Sequence, residues 1–273
     1  MDVVGPFSTQ SIAGSSYFLT IVDQFSGFKT VKFLKHKSEV LSKVKLFKIE
    51  AERQTGNSIK LIISDGGGEF NNHDFTQFCA DSGIIHHFSA PYTPQNNGMA
   101  ERANKSINEK ARCLLSQSKL PTKYWAEAVF TATDWCNLLP SSSRNFQIPY
   151  ELWHDRKFDY KKLKSFGCLV YYLKHEHLRV SKLDPTGEKG IFLGYLNDYS
   201  NFKILSASGS VISTREVKFK EDQFPGSSKN VSESEIDPFE IKIPEEIQSS
   251  EDSLQNQELS TQEIIEDIPE ENC

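Results

Sequence analysis

Ile59 to Ile63 (IKLII) is the most constraining stretch of the chain: a short apolar run of the kind found in a strand buried on both faces, ending at once on Ser64-Asp65. Such a strand needs covering layers, and the flanking sequence supplies them. Asp2 to Gly5, Tyr17 to Val22 and Lys29 to Leu34 read as strands punctuated by Gly, Ser and Pro. Val40, Leu41, Val44, Phe47 and Ala51 fall at helical spacing, with Ser38 as the predicted N-cap and Gly56 as the stop. Residues 71–82 predict a short helix and Ile84 to Phe88 another strand. Ser89 to Gly98 (SAPYTPQNNG), with two prolines, two asparagines and a glycine, is predicted as a loop. From Met99 to Ser118 an apolar stripe of Ala100, Ala103, Ile107, Ala111 and Leu114 predicts a long helix, and Thr122 to Leu139 predicts a second. Strands alternating with helices in this way indicate an α/β layer domain.

Past Pro140 the pattern changes. PSSSRNFQIP reads as a linker, and Cys168 to Leu173, Lys189 to Tyr195, Phe202 to Leu205, Ser210 to Ser213 and Glu216 to Phe219 are short strand-like runs split by turn residues, the rhythm of a small β-barrel. The expected division is a core over 1–140, a linker over 141–164, a barrel over 165–222 and a disordered acidic tail over 223–273. The net charge of −6 is unevenly spread. Gly226 to Cys273 holds 2 Lys and Arg against 14 Asp and Glu, leaving 29 against 23 before it, so a body of +6 carries a tail of −12. A mildly basic body keeps nucleic acid open as a partner. Five widely spaced cysteines (Cys79, Cys113, Cys136, Cys168, Cys273) form no CxxC or CxxH, which suggests neither a disulfide framework nor a zinc site. No apolar run approaches the roughly 20 residues of a membrane span, and MDVVGPFSTQ is no signal peptide. A soluble protein of nucleus and cytoplasm, without a membrane partner, is expected.

Hydrolysis or transfer of a phosphodiester needs charge neutralised on the phosphate and on the entering and leaving oxygens, work suited to two Mg²⁺ ions held by convergent carboxylates. Asp2 and Asp65 sit in or just after predicted strands, and Glu101 lies in the first turn of a predicted helix entered through a loop. Asn104, Lys105, Asn108 and Arg112 follow Glu101 at three, four, seven and eleven residues and share its face, where they could meet DNA phosphates. Each residue also has a plain structural role open to it: a turn Asp beside glycines, a Glu partnering the helix dipole, a solvated basic face. Asp23 is a further candidate acid that reads better as a turn residue. His86 and His87, adjacent on a strand, point to opposite faces and make poor joint metal ligands.

The strings MDVVGPF, YFLTIVDQFSGF, IISDGGGEF, SAPYTPQNNGMAERANKSI, YWAEAV and KLDPTGEKGIFLGY resemble, in order, the motifs of integrases from copia-like retrotransposons, over roughly residues 1–222. The 35 residues between Asp65 and Glu101 resemble the Asp, Asp, Glu interval of that family. The resemblance implies a ribonuclease-H-like mixed sheet flanked by helices, an SH3-like barrel at about 165–222, and Asp2, Asp65 and Glu101 as catalytic ligands of two Mg²⁺ or Mn²⁺ ions. It implies 3′-end processing of element DNA and strand transfer into target DNA, by a homo-oligomer that grips double-stranded DNA. Gln95 and Asn96 are expected to join Asn104, Lys105, Asn108 and Arg112 on the DNA, and Tyr92 to Gly98 to be a mobile loop that orders on DNA and metal. Two departures stand out. Gly66 replaces the family's Asn after the second acid, and Asp2 has only Met1 before it where the family has a longer strand. They raise an alternative, a decayed or host-retained remnant that binds DNA or protein without catalysis.

Overall fold

The computed structural model describes residues 1–89, 94–173, 186–196 and 199–227. Three antiparallel strands open the chain, β1 (Asp2–Val4), β2 (Tyr17–Val22) and β3 (Lys29–Leu34), in the order β1-β2-β3. The period of two along β2 sorts its side chains: Phe18 and Thr20 turn to one face, Leu19 and Ile21 to the other, and all four are buried. On the Leu19 face packs α1 (Val40–Thr55), through Val40, Val44, Phe47 and Ala51. Gly56, at φ 70°, ends that helix in the left-handed conformation as its position in the sequence predicted. Ser38 does not cap it, because Lys37–Glu39 form a preceding 3₁₀ turn, and Ser42 Oγ instead donates to the Glu39 carbonyl at 2.7 Å.

Next come β4 (Leu61–Ser64), α2 (His73–Asp81) and β5 (Ile85–Phe88), with β4 and β5 parallel. Asn72 caps α2 by accepting from the Phe75 amide at 2.9 Å. The Met1 amine donates to the Ile63 carbonyl at 2.6 Å, which sets the start of β1 against β4.

The Phe18 face is covered by α3 (Pro94–Ser118) and α4 (Trp125–Leu138). The stripe of Ala100, Ala103, Ile107, Ala111 and Leu114 is buried as its spacing requires. Trp125 is the centre of this core: it stacks on Phe7 at 4.1 Å, meets Phe33 edge-on, and donates its indole N–H to the Thr9 carbonyl at 2.9 Å. The helix starts earlier than predicted. Pro94 to Gly98 are helical, since a proline at the first helical position lacks only an N–H that would have no partner there; of the expected mobile loop, Tyr92 and Thr93 lie outside the described residues.

The segment read as a linker is folded. It carries α5 (Pro149–His154), whose Trp153 stacks on Phe28 at 5.0 Å, while Tyr150 and Phe158 are buried with Leu138. Aromatic burial overrides the Ser-rich composition that suggested a spacer. Five antiparallel strands follow, β6 (Leu169–Leu173), β7 (Gly187–Tyr195), β8 (Phe202–Ser206), β9 (Val211–Thr214) and β10 (Val217–Lys220), ordered β10-β6-β7-β8-β9 around Cys168, Val170, Tyr172, Phe192, Tyr195 and Ile204. Helices flanking strands, then a small antiparallel unit, is the α/β architecture expected from the sequence; the expected single mixed sheet is divided among the described residues into the antiparallel β1-β2-β3 and the parallel β4-β5, linked by the Met1–Ile63 bond. Of the acidic tail, Pro225–Ser227 form a 3₁₀ turn and residues from 228 onward lie outside the described set. Among the described residues, no helix is long and apolar enough to cross a membrane, and Cys79, Cys113, Cys136 and Cys168 are free thiols.

Candidate functional site

Asp2 lies opposite Thr20 in the β1–β2 ladder, so its side chain turns to the α3 face. There Asn104 Nδ2 donates to Asp2 Oδ2 at 2.8 Å. Burial pushes the Asp2 carboxyl up from its ordinary value, and the charge of Asp65 pushes it further, against the Asn104 bond that favours the anion. Asp65 follows directly on β4, where the last strand residue, Ser64, is fully buried. Its Oδ1 accepts from the Gly67 amide at 3.2 Å. A Cβ at Gly67 would lie 2.9 Å from Glu69 Cδ and 3.2 Å from Asp65 Oδ1, so the glycine permits the close packing of these two acids.

Two supports around Asp65 were not foreseen. Ser64 Oγ donates to the Asp65 carbonyl at 3.0 Å and lies 2.9 Å from His86 Nε2. A His86 protonated on Nε2 satisfies both contacts, giving a chain from β5 through Ser64 to the backbone of Asp65. His86 is therefore a strut beside Asp65, and burial holds its pKa low. Glu69, almost buried, pairs with Lys37 at 2.9 Å, tying the glycine loop to the approach to α1. The only sequence signal for either support was position: a small polar residue or a carboxylate close to Asp65.

Glu101 lies in the second turn of α3, exposed, because the helix begins at Pro94. Among the described residues no group of three His, Cys, Asp or Glu side chains converges on one point; the charge of Asp65 acts on Asp2, and Glu101 is not among the groups that do. The predicted DNA face divides. Lys105 and Arg112 are exposed as expected. Asn104 is not on that surface: at 6% exposure it faces β1, because three residues past Glu101 the helix has turned toward the sheet. Its Oδ1, like that of half-buried Asn108, has no hydrogen-bond partner among the described residues. Gln95 and Asn96 fall in the first turn of α3, and their side chains lie outside the described set. Asp23 is a turn residue, its Oδ2 accepting from Ser26 N at 2.7 Å and Ser26 Oγ at 2.6 Å. Beside the acids, a cleft of about 700 Å³ runs between β2, β4, α1, the start of α3 and α5, bounded by Ile21, Phe47, Ile62, Met99 and Trp153.

Two family models match the chain, "Integrase core domain" over residues 1–94 and "Retroviral polymerase SH3-like domain" over residues 168–233. The chain is 37% identical over 223 residues to the retrovirus-related Pol polyprotein from transposon TNT 1-94 of Nicotiana tabacum, an alignment covering 81% of this chain and 17% of that protein. It is 33% identical over 221 residues to the corresponding polyprotein from transposon RE2 of Arabidopsis thaliana, covering 81% and 15%. The chain thus spans about a sixth of the length of these relatives. Among solved structures, the HTLV-2 integrase catalytic core domain in complex with magnesium aligns with a TM-score of 0.40 at 21% identity, over 56% of this chain and 95% of that one.

Proposed function

The chain belongs to the integrase region of the retrovirus-related Pol polyproteins of copia-like transposons, and on that premise we propose that it is a divalent-metal-dependent DNA 3′-end processing and strand-transfer core. The observation that carries this reading is the convergence of Asp2 and Asp65 from neighbouring strands, with Asn104, one helical turn from Glu101, bonded to Asp2. Two carboxylates near enough for the charge of Asp65 to act on the Asp2 carboxyl are a donor set that fits a hard divalent cation. Asp2, Asp65 and Glu101 are the residues that would hold Mg²⁺ or Mn²⁺, as two ions, which when bound supply charge neutralisation at the phosphate.

The chain's own groups have distinct tasks. Asn104 fixes the Asp2 carboxylate, and the Ser64–His86 chain fixes the backbone that aims Asp65. Lys105 and Arg112, exposed one and three turns beyond Glu101, face the DNA backbone and neutralise phosphates without reading bases. Water cleaves a phosphodiester near the 3′ end of the element's DNA, and the freed 3′ hydroxyl then attacks a target phosphodiester and expels a 3′ oxygen. The substrates are double-stranded DNA ends and target DNA, the working form is a homo-oligomer, and the reaction belongs to the nucleus.

One observation favours a second reading, binding without catalysis: Glu101 stands apart from the other two acids, on an element separate from their strands. Incubating the purified protein with a short branched DNA and Mn²⁺, beside its Glu101→Gln variant, separates the two. Strand-transfer product from the parent and a loss of at least about 100-fold in the variant are expected. Equal product from both, or none from either, removes the catalytic reading.

A further inference from the structure

Two phenylalanines stand out on the described surface, Phe25 at 80% and Phe146 at 73% exposure. Neither sits on a slack loop. The Phe25 turn, between β2 and β3, is closed by Gly27 N donating to the Asp23 carbonyl and by the Asp23 carboxylate, which is taken up by the Ser26 amide and hydroxyl. The Phe146 loop is closed by Ser141 N donating to the Gln147 carbonyl at 3.0 Å, Gln147 N to the Arg144 carbonyl at 3.0 Å and Phe146 N to the Ser141 carbonyl at 2.9 Å. Asn145 and Phe146 are held at φ 51° and 61°, a left-handed conformation that non-glycine residues avoid.

One side chain joins the two loops. Arg144 Nε donates to the Phe25 carbonyl and Nη2 to the Gln24 carbonyl, both at 3.0 Å, and Nη2 also reaches Met99 Sδ on α3. A Cβ at Gly27 would lie 2.5 Å from Arg144 Cζ, so the glycine makes room for the guanidinium. Around the rings the charge is positive. Lys29, half-buried at the start of β3, feels Arg144 and Lys110 as neighbouring cations, and no carboxylate is among the groups acting on it. Arg102 borders the same cleft mouth as Gln24, Phe25 and Met99. Asp23, two residues before Phe25, is engaged in its own turn, and Asp155 borders the same cleft. Phe25 sits in the turn that ends β2, the strand whose Thr20 lies opposite Asp2.

We propose that Phe25 and Phe146, presented by the Arg144-tied loops amid Lys29, Arg102 and Lys110, form a surface that wedges into the base stack of the duplex DNA engaged by the acid site. Rigid exposed rings amid cations suit bases partly unstacked from a bent duplex: the cations hold phosphates, and the rings replace the lost stacking. This rests on the DNA reading of the acid site and adds to it where the duplex is opened.

The test is equilibrium binding of the full chain, without metal, to a duplex with 2-aminopurine at successive positions, and to the same duplex with a two-base bulge. The expected result is a position-specific fluorescence rise on binding. Phe25→Ala/Phe146→Ala should abolish that rise and weaken duplex affinity on the order of 10-fold, with a much smaller loss on the bulged DNA. Its salt dependence should equal that of the parent, whereas Arg102→Gln/Lys110→Gln should flatten it. A parent that binds duplex with no fluorescence change, or a double variant that loses affinity equally for both DNAs, overturns the proposal. So does a double variant that only turns an oligomer into a monomer at unchanged DNA affinity, which would make the rings a protein contact. Failure here with Glu101→Gln still abolishing strand transfer leaves the catalytic reading standing, and the converse result leaves this one.

Discussion

Asn104 shows how one residue can carry a site that spacing alone misassigns. Three residues from Glu101, it shares the helix's polar side in projection, which is why it was expected on DNA; the real helix is rolled so that this position meets β1. Helical periodicity fixes which residues are neighbours on a helix and not how far that helix is rotated against a sheet. Asn104→Ala removes the side-chain donor to Asp2 and leaves a half-buried carboxylate short of a bond. The expected cost is about 1 to 2 kcal/mol of stability by chemical denaturation, together with a loss of roughly 10-fold or more in Mn²⁺ affinity by calorimetry. Restored affinity in Asn104→Gln would identify the amide bond as the cause; unchanged affinity in Asn104→Ala would show that Asp2 needs no such support.

At the scale of elements, the strands and helices that form the core were legible because burial imposes their period: the β2 alternation, the α1 stripe ending at Gly56, and the α3 alanine stripe all appear where the pattern puts them. What the pattern missed lay where tertiary packing overrides composition, at α5 with its buried Tyr150 and at the first turns of α3, rich in Pro, Asn and Gly. Of the site, the two strand acids were legible from their place at β1 and β4; the struts around them were not, since a bond between Ser64 and His86 depends on strand pairing across 22 residues. Gly98 tests the early start of α3. It is buried and helical, and a Cβ there would lie 2.9 Å from Arg102 Nη1, the movable end of a long side chain. Gly98→Ala is therefore expected to stabilise the protein by about 0.5 to 1 kcal/mol, raising the melting temperature by about 1 to 3 °C. A lower melting temperature would mean that this turn is not helical in solution.

At the scale of the whole molecule, the C-terminal strands dock on the same helix that closes the core. Leu193 and Leu205 join the Trp125 core, and a bulge at Phe192/Gly194 brings Gly194, at φ 120°, so near α4 that a Cβ would lie 2.9 Å from Thr131 Oγ1. Lys203 of β8 lies over the Phe130 ring, and its charge acts on both Glu127 and Asp134, each about one turn from that ring on α4, one before it and one after. Asp134, bonded by Tyr199, is pushed by burial up to about 7, against the pull of Lys203 and Tyr199. This is a carboxyl whose folded value lies above its unfolded one, so between them the folded state holds a proton that the unfolded state has lost. Stability from this group therefore falls as pH rises from about 4 to about 7 and is level above that. Chemical denaturation at pH 5 and pH 8 should find the parent about 2 to 3 kcal/mol less stable at the higher pH through Asp134. Asp134→Asn keeps the volume and cannot ionise, so the difference between the two proteins should be near zero at about pH 4, already favour the variant at pH 5, and widen by about 2 to 3 kcal/mol between pH 5 and pH 8. His86 and His154, whose values are held low by burial, titrate in the same range in both proteins and cancel in that comparison. Parallel stability curves across this range would show that Asp134 is ionised throughout and that the Lys203 contact is an ion pair joining the two halves at neutral pH.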